Sequence, residues 1–285
     1  MNYRHIYHAG HFPDVVKHAV VCLIVEHLKK KETPFFVLDT HAGAGRYDLT
    51  STEAQKTGEF RDGIGRLLAI GPWPPALAPY LAVVRAINGG SLPANADGLA
   101  VYPGSPRLVR ALMRPKDRLI AAELHPVDAA TLAAEFTGDP QVAVKAMDGY
   151  GTLTSLLPPR EKRGLVLVDP PFEEKDEFAA LVDGLVAAHR RWATGIFTLW
   201  FPIKDRRPVE DFYGRLAESG VRRLLLAELL VRAADDPERL NGTGLAIVNP
   251  PWRLDDTLND LLPFFVRALG QGPGAASRVA WLVPE

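Results

Sequence analysis

Gly164-Leu165-Val166-Leu167-Val168-Asp169-Pro170-Pro171-Phe172 is the stretch from which the rest of the chain can be read. Leu165 to Val168 is a short, unbroken apolar run, the pattern of a strand buried on both faces of a parallel sheet. A carboxylate stands where that strand ends. Open α/β sheets bind their ligands beyond the carboxyl ends of their strands. Pro170 and Pro171 fix φ, and Pro171 also restricts Pro170, so the turn is stiff. A stiff turn can present Asp169, the Pro170 carbonyl and the Phe172 ring to one small planar group. An exocyclic amine on a base fits, because it has two protons to donate and the turn has two acceptors. Both bonds draw the nitrogen lone pair out of conjugation and leave it able to attack an electrophilic methyl group. Phe172 can stack on the base, a contact worth roughly 1–3 kcal/mol. The plainer alternative is a proline-rich turn that closes a core strand.

The chain contains a second copy of the pattern, Asn249-Pro250-Pro251-Trp252, after the apolar run Gly244–Val248. Only Asp169 can take a proton, and only Asp169 follows the other candidate motifs in order. Asn241-Gly242 reads as a hairpin turn before the second run. Asn249 is therefore expected to end a late antiparallel strand and to be structural.

Upstream, Phe35–Leu38 is another apolar run, leading into Asp39-Thr40-His41-Ala42-Gly43-Ala44-Gly45. Gly43 and Gly45 let backbone approach a ligand closely, and a helix start offers free N–H groups. Such a turn would equally serve a nicotinamide enzyme. In a plain dinucleotide-binding unit an acid for the ribose follows about 20 residues later. Here the candidate is Glu123, ending Leu119–Glu123, much further along. Helix-like segments near Gly63–Ile70 and Ala76–Ile87 fill the gap. Residues 46–103 are thus expected to be an inserted helical subdomain. Residues 1–45 form the N-terminal arm, helix and first strand, and residues 104–285 the remainder of the main domain. Ser105-Pro106 reads as an N-cap and first-turn pair for a helix over Arg107–Met113. Val142–Val144 leads to Asp148-Gly149, where the acid suits an adenine amine or a turn. Asp39, Glu123, Asp148 and Asp169 then end four successive strands, an ordering more specific than any one of them.

The first residues carry Tyr3, Arg4, His5, His8 and His11 without core periodicity. Tyr3 and Arg4 are candidates for stacking on RNA and contacting phosphate. A metal reading of the histidines lacks a carboxylate or thiolate at standard spacing. From Pro13 the pattern is helical, with Val16, Val20, Leu23, Ile24 and Leu28 on one face. Lys17 and His18, taken alone, read as solvated helix residues. Lys204 follows the apolar run Gly195–Phe201 and suits a phosphate contact or an exposed lysine. A hairpin over Val221–Val231 and Gly244–Val248, a helix over Thr257–Leu269 and a short tail at Val279–Val283 complete the chain.

With 285 residues, 47% hydrophobic and 24% charged, the chain has enough material for a full core. A net charge of −1 gives no global field for nucleic acid, so RNA binding must use local patches. The single cysteine, Cys22, excludes an internal disulfide and fits a reducing cytosol. No apolar run approaches a membrane span and no secretory pattern opens the chain. A cytoplasmic protein is expected.

Taken together, the sequence resembles the bacterial 23S rRNA adenine-N6 methyltransferase family of large-subunit methyltransferase J type. Tyr3-Arg4-His5, His8-Ala9-Gly10, Asp14–His18, Leu38–Tyr47, Tyr102–Pro106, Glu123–Pro126, Asp148–Tyr150, Asp169–Phe172 and Asn249–Trp252 carry the resemblance. It implies a class I S-adenosylmethionine-dependent methyltransferase: an α/β, Rossmann-like, seven-stranded and mostly parallel sheet with a small inserted helical subdomain. It implies S-adenosyl-L-methionine as cofactor, leaving as S-adenosyl-L-homocysteine. The cofactor would lie at Lys17, His18, His41, Gly43, Gly45, Ser105, Glu123, Asp148, Gly149 and Asp169. Asp169, Pro170 and Phe172 would be catalytic, and Tyr3, Arg4 and Lys204 would meet the RNA. The expected substrate is 23S rRNA, bound by a monomer without metal. The family pattern ends in tyrosine where this chain has Phe172, which keeps stacking and loses a hydroxyl. Methylation of DNA adenine or of a protein glutamine, and RNA binding without catalysis, are the alternatives.

Overall fold

The computed structural model describes residues 4–284, which are organised around an eight-stranded sheet. In chain order the strands are β1 (Phe36–Asp39), β2 (Arg46–Asp48), β3 (Val101–Pro103), β4 (Arg118–Glu123) and β5 (Val142–Ala146). They continue with β6 (Gly164–Val168), β7 (Ile196–Ile203), β8 (Leu224–Leu230), β9 (Gly242–Val248) and β10 (Ala276–Val283). The order across the main sheet is β10-β8-β9-β7-β6-β1-β4-β5. From β5 to β7 every pair is parallel, whereas β9 runs antiparallel to both β7 and β8. The chain builds outward from β1 through β4 and β5, then returns to β6 on the other side. The switch point therefore lies between β1 and β6, where such sheets hold their ligands.

The apolar run of β6 is buried on both faces, as its composition demands. Leu165 and Leu167 enter one core, while Val166 and Val168 enter the other. The first core is covered by the helices Phe12–Lys29 and Leu254–Leu269, the second by Glu177–Arg191 and Arg206–Glu218. This is the expected Rossmann-like arrangement with one strand added. The tail around Val279–Val283 pairs with β8 from Ala276 onward and becomes the eighth strand. None of its residues is buried, as befits an edge strand, and such a half-exposed run is a weak signal in sequence.

Two local expectations are corrected. Asn241-Gly242 is no hairpin turn: Asn241 Nδ2 donates to the carbonyls of Lys204 and Asp236, and Gly242 already starts β9. The helix after β3 begins at Ser105 with Gly104 as its cap residue, so Ser105 is inside the first turn and caps nothing.

Between β1 and β4, β2 and β3 form a separate two-stranded ribbon, with Arg46 opposite Pro103 and Asp48 opposite Val101. The chain between them forms short helices, of which Ala78–Ile87 packs on the helix Phe12–Lys29.

Candidate active site

Four carboxylates stand at the ends of adjacent parallel strands, in the spatial order Asp169, Asp39, Glu123, Asp148. A cavity opens at Asp169 and Glu123, while Asp39 between them is buried and outside its lining. Its walls include His5, Asp14, Lys17, His18, His41, Gly43, Ser105, Glu123, Asp169, Pro170, Phe172, Trp200 and Lys204. Most of the residues expected from the sequence therefore meet in one place.

Asp169 is held by Lys17, whose ammonium donates to Asp169 Oδ2 and, at 2.9 Å, to Asp14 Oδ1. Lys17 and His18 are not solvated; both are buried, Lys17 against Asp169 and the Trp200 ring and His18 against Tyr102 of β3. Burial alone would lower the Lys17 pKa, but the two carboxylates outweigh it and raise it. Burial would likewise raise the Asp14 carboxyl, yet His5, Lys17 and His18 hold it well below its usual range. Asp14 also accepts from His5 Nε2 at 2.9 Å and from the Gly10 N–H at 2.9 Å. Asp14 was not singled out in the sequence as a site residue. The three-residue spacing of Asp14 and Lys17 was the signal that could have found it.

Asp39 is completely buried, and neither carboxylate oxygen has a hydrogen-bond partner among the described residues. Burial pushes its pKa up to about 7, with Ser105 near enough to oppose the rise but outside hydrogen-bonding geometry. Glu123 is saturated differently: Oε2 accepts from the Gly43 N–H at 2.8 Å and Oε1 from the His125 N–H at 2.7 Å. It thus fixes the glycine turn as well as facing the cavity. Gly43 has φ +61°, and a Cβ there would lie 2.0 Å from the Tyr47 hydroxyl, so no larger residue fits.

His41 is half-buried, and the desolvation lowers its pKa to about 4 against the opposing pull of Asp169 and Asp148. The Thr40 hydroxyl donates to the Leu167 carbonyl at 3.0 Å, so it must accept from His41 Nδ1 at 2.8 Å. His41 Nε2 is then the unprotonated nitrogen. His18 meets the Tyr102 hydroxyl at 2.9 Å, and burial takes its pKa down to about 3, so both imidazoles are neutral.

Phe172 sits at φ +53°, an uncommon position for an aromatic residue. Its ring meets Trp200 edge to face at 5.7 Å and Phe178 at 4.9 Å. Trp200, which the sequence did not single out, is fixed by donating to Thr243 Oγ1 at 2.8 Å. The two rings offer an aromatic wall beside Asp169.

Other expected residues lie outside the cavity lining. Asp148 is the cap residue of the helix Gly149–Ser155 and accepts from the Gly151 N–H at 2.7 Å. Gly149 packs so tightly that a Cβ would lie 2.4 Å from the Thr40 carbonyl. Gly45, with φ +77°, takes the Gly104 N–H and packs on Leu132. Arg4 forms an ion pair with Asp128 at 3.1 Å, tying the N-terminal segment to the helix after Glu123. Tyr3 lies outside the described residues. The histidines of that segment each meet a carboxylate, His5 on Asp14 and both His8 and His11 on Glu59. No group of three or more metal-ligating side chains suited to an ion occurs among the described residues.

The second motif ends up at the opposite end of the sheet, because β9 runs antiparallel to β7. Asn249 itself has φ +51°, and its Nδ2 donates to the carbonyls of Ala193 and Gly195 at 2.8 and 2.9 Å. The same four-residue pattern thus takes two different conformations.

Residues 32–283 match the family described as "Ribosomal RNA large subunit methyltransferase D, RlmJ". The chain is 40% identical over 285 residues to a protein of Escherichia coli named ribosomal RNA large subunit methyltransferase J, covering 100% of both. A protein of the same name from Haemophilus influenzae is 39% identical over 285 residues, again with 100% of both covered. Among solved structures, protein LPL1258 from Legionella pneumophila superposes with a TM-score of 0.85 at 30% identity, covering 96% of this chain and 98% of that one.

Proposed function

We propose that this chain, which belongs to the ribosomal RNA large subunit methyltransferase J family, methylates the N6 amine of an adenine in 23S rRNA with S-adenosylmethionine. The observation that carries the reading is Asp169: a carboxylate at the sheet's switch point, on a Pro-Pro turn, held by a buried lysine beside two aromatic rings. Full-length matches to relatives named as large-subunit rRNA methyltransferases support the substrate class.

The residues present fit the cofactor. Asp39 is a buried carboxylate with both oxygens unpartnered, and it suits a cationic amine. Glu123 suits vicinal hydroxyls, since each carboxylate oxygen can accept more than the one N–H it already holds. The glycine turn at Gly43 lets backbone close in beside it. When bound, S-adenosylmethionine supplies an electrophilic methyl group. The chain's own work is then positional. Asp169 Oδ1 makes no hydrogen bond among the described residues, so it can accept from the adenine amine while Oδ2 stays on Lys17. The Pro170 carbonyl takes the second amine proton, and Phe172 with Trp200 holds the base plane. The target adenine has to be unstacked to reach this turn. Lys204, exposed at the mouth, would meet a phosphate, and Tyr3 would meet the RNA from the N-terminal arm.

We take residues 46–103 as the inserted subdomain, with the β2–β3 ribbon as its base. No helix among the described residues is long and apolar enough to cross a membrane. We read the enzyme as a cytoplasmic monomer. Incubating the protein with labelled cofactor and rRNA from a strain lacking the activity, then locating the methyl by mass spectrometry, tests the reading. Transfer to an adenine N6 is expected; transfer only to duplex DNA or to protein would overturn it.

A further inference from the structure

We propose that Glu59, in the segment between β2 and β3, is a positioning residue that fixes His8 and His11 at the rim of the cavity and so sets the grip on the RNA substrate. The inference rests on the reading of the cavity as an RNA methyltransferase site.

One carboxylate takes both imidazoles. His8 Nδ1 lies 3.1 Å from Glu59 Oε1 and 3.0 Å from Oε2, and His11 Nδ1 lies 3.0 Å from Oε2. All three side chains line the same cavity as Asp169. An ionised carboxylate only accepts, so each Nδ1 must be the donor. Each ring is thereby fixed in orientation, with the other nitrogen pointing away from Glu59. The charged groups that bear on His8 are Glu59 and Asp14, and the Glu59 hydrogen bond raises its pKa against the effect of burial. A raised His8 is more often cationic near neutral pH, which suits a phosphate backbone at a cavity mouth.

The grip is more than one side chain. The Thr57 hydroxyl donates to the Tyr7 carbonyl, and the Ile64 N–H donates to the Gly10 carbonyl at 2.8 Å. At Gly63 a Cβ would lie 2.0 Å from the Gly10 oxygen and 2.4 Å from the His11 carbonyl carbon, so the two backbones touch. The same loop passes the Gly10 N–H to Asp14, which shares Lys17 with Asp169. The segment that carries Glu59 is thus registered to the reacting carboxylate without itself touching it. Glu59 and His8 are only partly buried, so their pairing adds little to the core; its effect falls on the rim.

The test compares wild type, Glu59→Ala and Glu59→Gln as full-length proteins, with deproteinised large-subunit rRNA as the probe. In Glu59→Ala the KM for RNA should rise roughly tenfold, the scale of one lost charge-assisted hydrogen bond. The kcat and the calorimetric affinity for S-adenosylmethionine should stay at wild-type values. Glu59→Gln keeps one acceptor oxygen and should recover part of the loss. In histidine NMR, the His8 titration should move down in Glu59→Ala. Should that variant not fold, His8→Ala combined with His11→Ala removes the same contacts from the other side and carries the same expectation. An unchanged RNA KM in folded Glu59→Ala overturns the inference, and so does an equal loss of kcat and cofactor affinity. Failure of wild type itself to methylate the RNA would overturn the underlying reading, and this inference with it. An active wild type beside an unaffected Glu59→Ala overturns this inference alone.

Discussion

Lys17 and Asp169, 152 positions apart in sequence, form a part-buried ion pair at the switch point of the sheet. Asp14 shares the same ammonium. Replacing Lys17 by Met would leave buried Asp14 and largely buried Asp169 without their shared cation. Breaking such a pair costs about 3–5 kcal/mol, chiefly through the charge left behind. Urea unfolding of Lys17→Met at neutral pH should show a loss on that scale. A loss under about 1 kcal/mol, the scale of a surface pair, would contradict it.

Asp39 gives a pH dependence of the opposite sign to an ordinary paired carboxylate. Its pKa is raised to about 7 in the fold, against about 3.9 in the unfolded chain. Between those values the folded state keeps a proton that the unfolded state has lost, so stability falls as pH rises through that window. Asp39→Asn has no such proton. Without cofactor, the variant should be more stable than wild type at about pH 8 by a few kcal/mol, with the difference closing toward about pH 4. Denaturation at the two pH values measures this. Parallel pH curves for the two proteins would contradict it.

Glu123→Ala should weaken cofactor binding by roughly 1.5–3 kcal/mol, the scale of lost charge-assisted hydrogen bonds. The carboxylate also holds the Gly43 and His125 N–H groups, so its loss loosens the turn itself. Calorimetry with S-adenosylmethionine reads the effect directly. An unchanged affinity would remove Glu123 from the site.

The strand ends were legible because each combines an apolar run with an abrupt carboxylate, and a parallel sheet aligns such ends by itself. Asp39, Glu123 and Asp169 were found that way. Lys17 was legible as a helix residue and misread as solvated, since it packs against Asp169 and Trp200, both distant in sequence. Trp200 carried no local signal: its role comes from pairing with Phe172 across neighbouring strands. Ser105 looked like a cap because Ser-Pro favours helix starts, but the backbone turns one residue earlier, at Gly104. The eighth strand was hidden because none of its residues is buried, an exposure that edge strands share with loops.

Asn249→Ala should separate the two copies of the Pro-Pro motif. The variant loses the donor to the Ala193 and Gly195 carbonyls and puts alanine at φ +51°. A stability loss of about 1–3 kcal/mol is expected. The single-turnover rate of methyl transfer should be retained in the folded variant, because Asn249 lies at the far end of the sheet. Loss of that rate in a folded, cofactor-binding Asn249→Ala would contradict the assignment.

The most direct test of the central assignment is single-turnover methylation of large-subunit rRNA by wild type, Asp169→Asn and Asp169→Ala. In both variants Lys17 keeps Asp14 as a partner, so the fold and cofactor binding should survive. Asp169→Asn keeps the shape and loses the charge, while Asp169→Ala loses the acceptor altogether. Charge-assisted hydrogen bonds are roughly twice as strong as neutral ones. Both variants should lose most of their transfer rate, Asp169→Ala the more severely. A rate near that of wild type in folded, cofactor-binding Asp169→Ala would contradict the account.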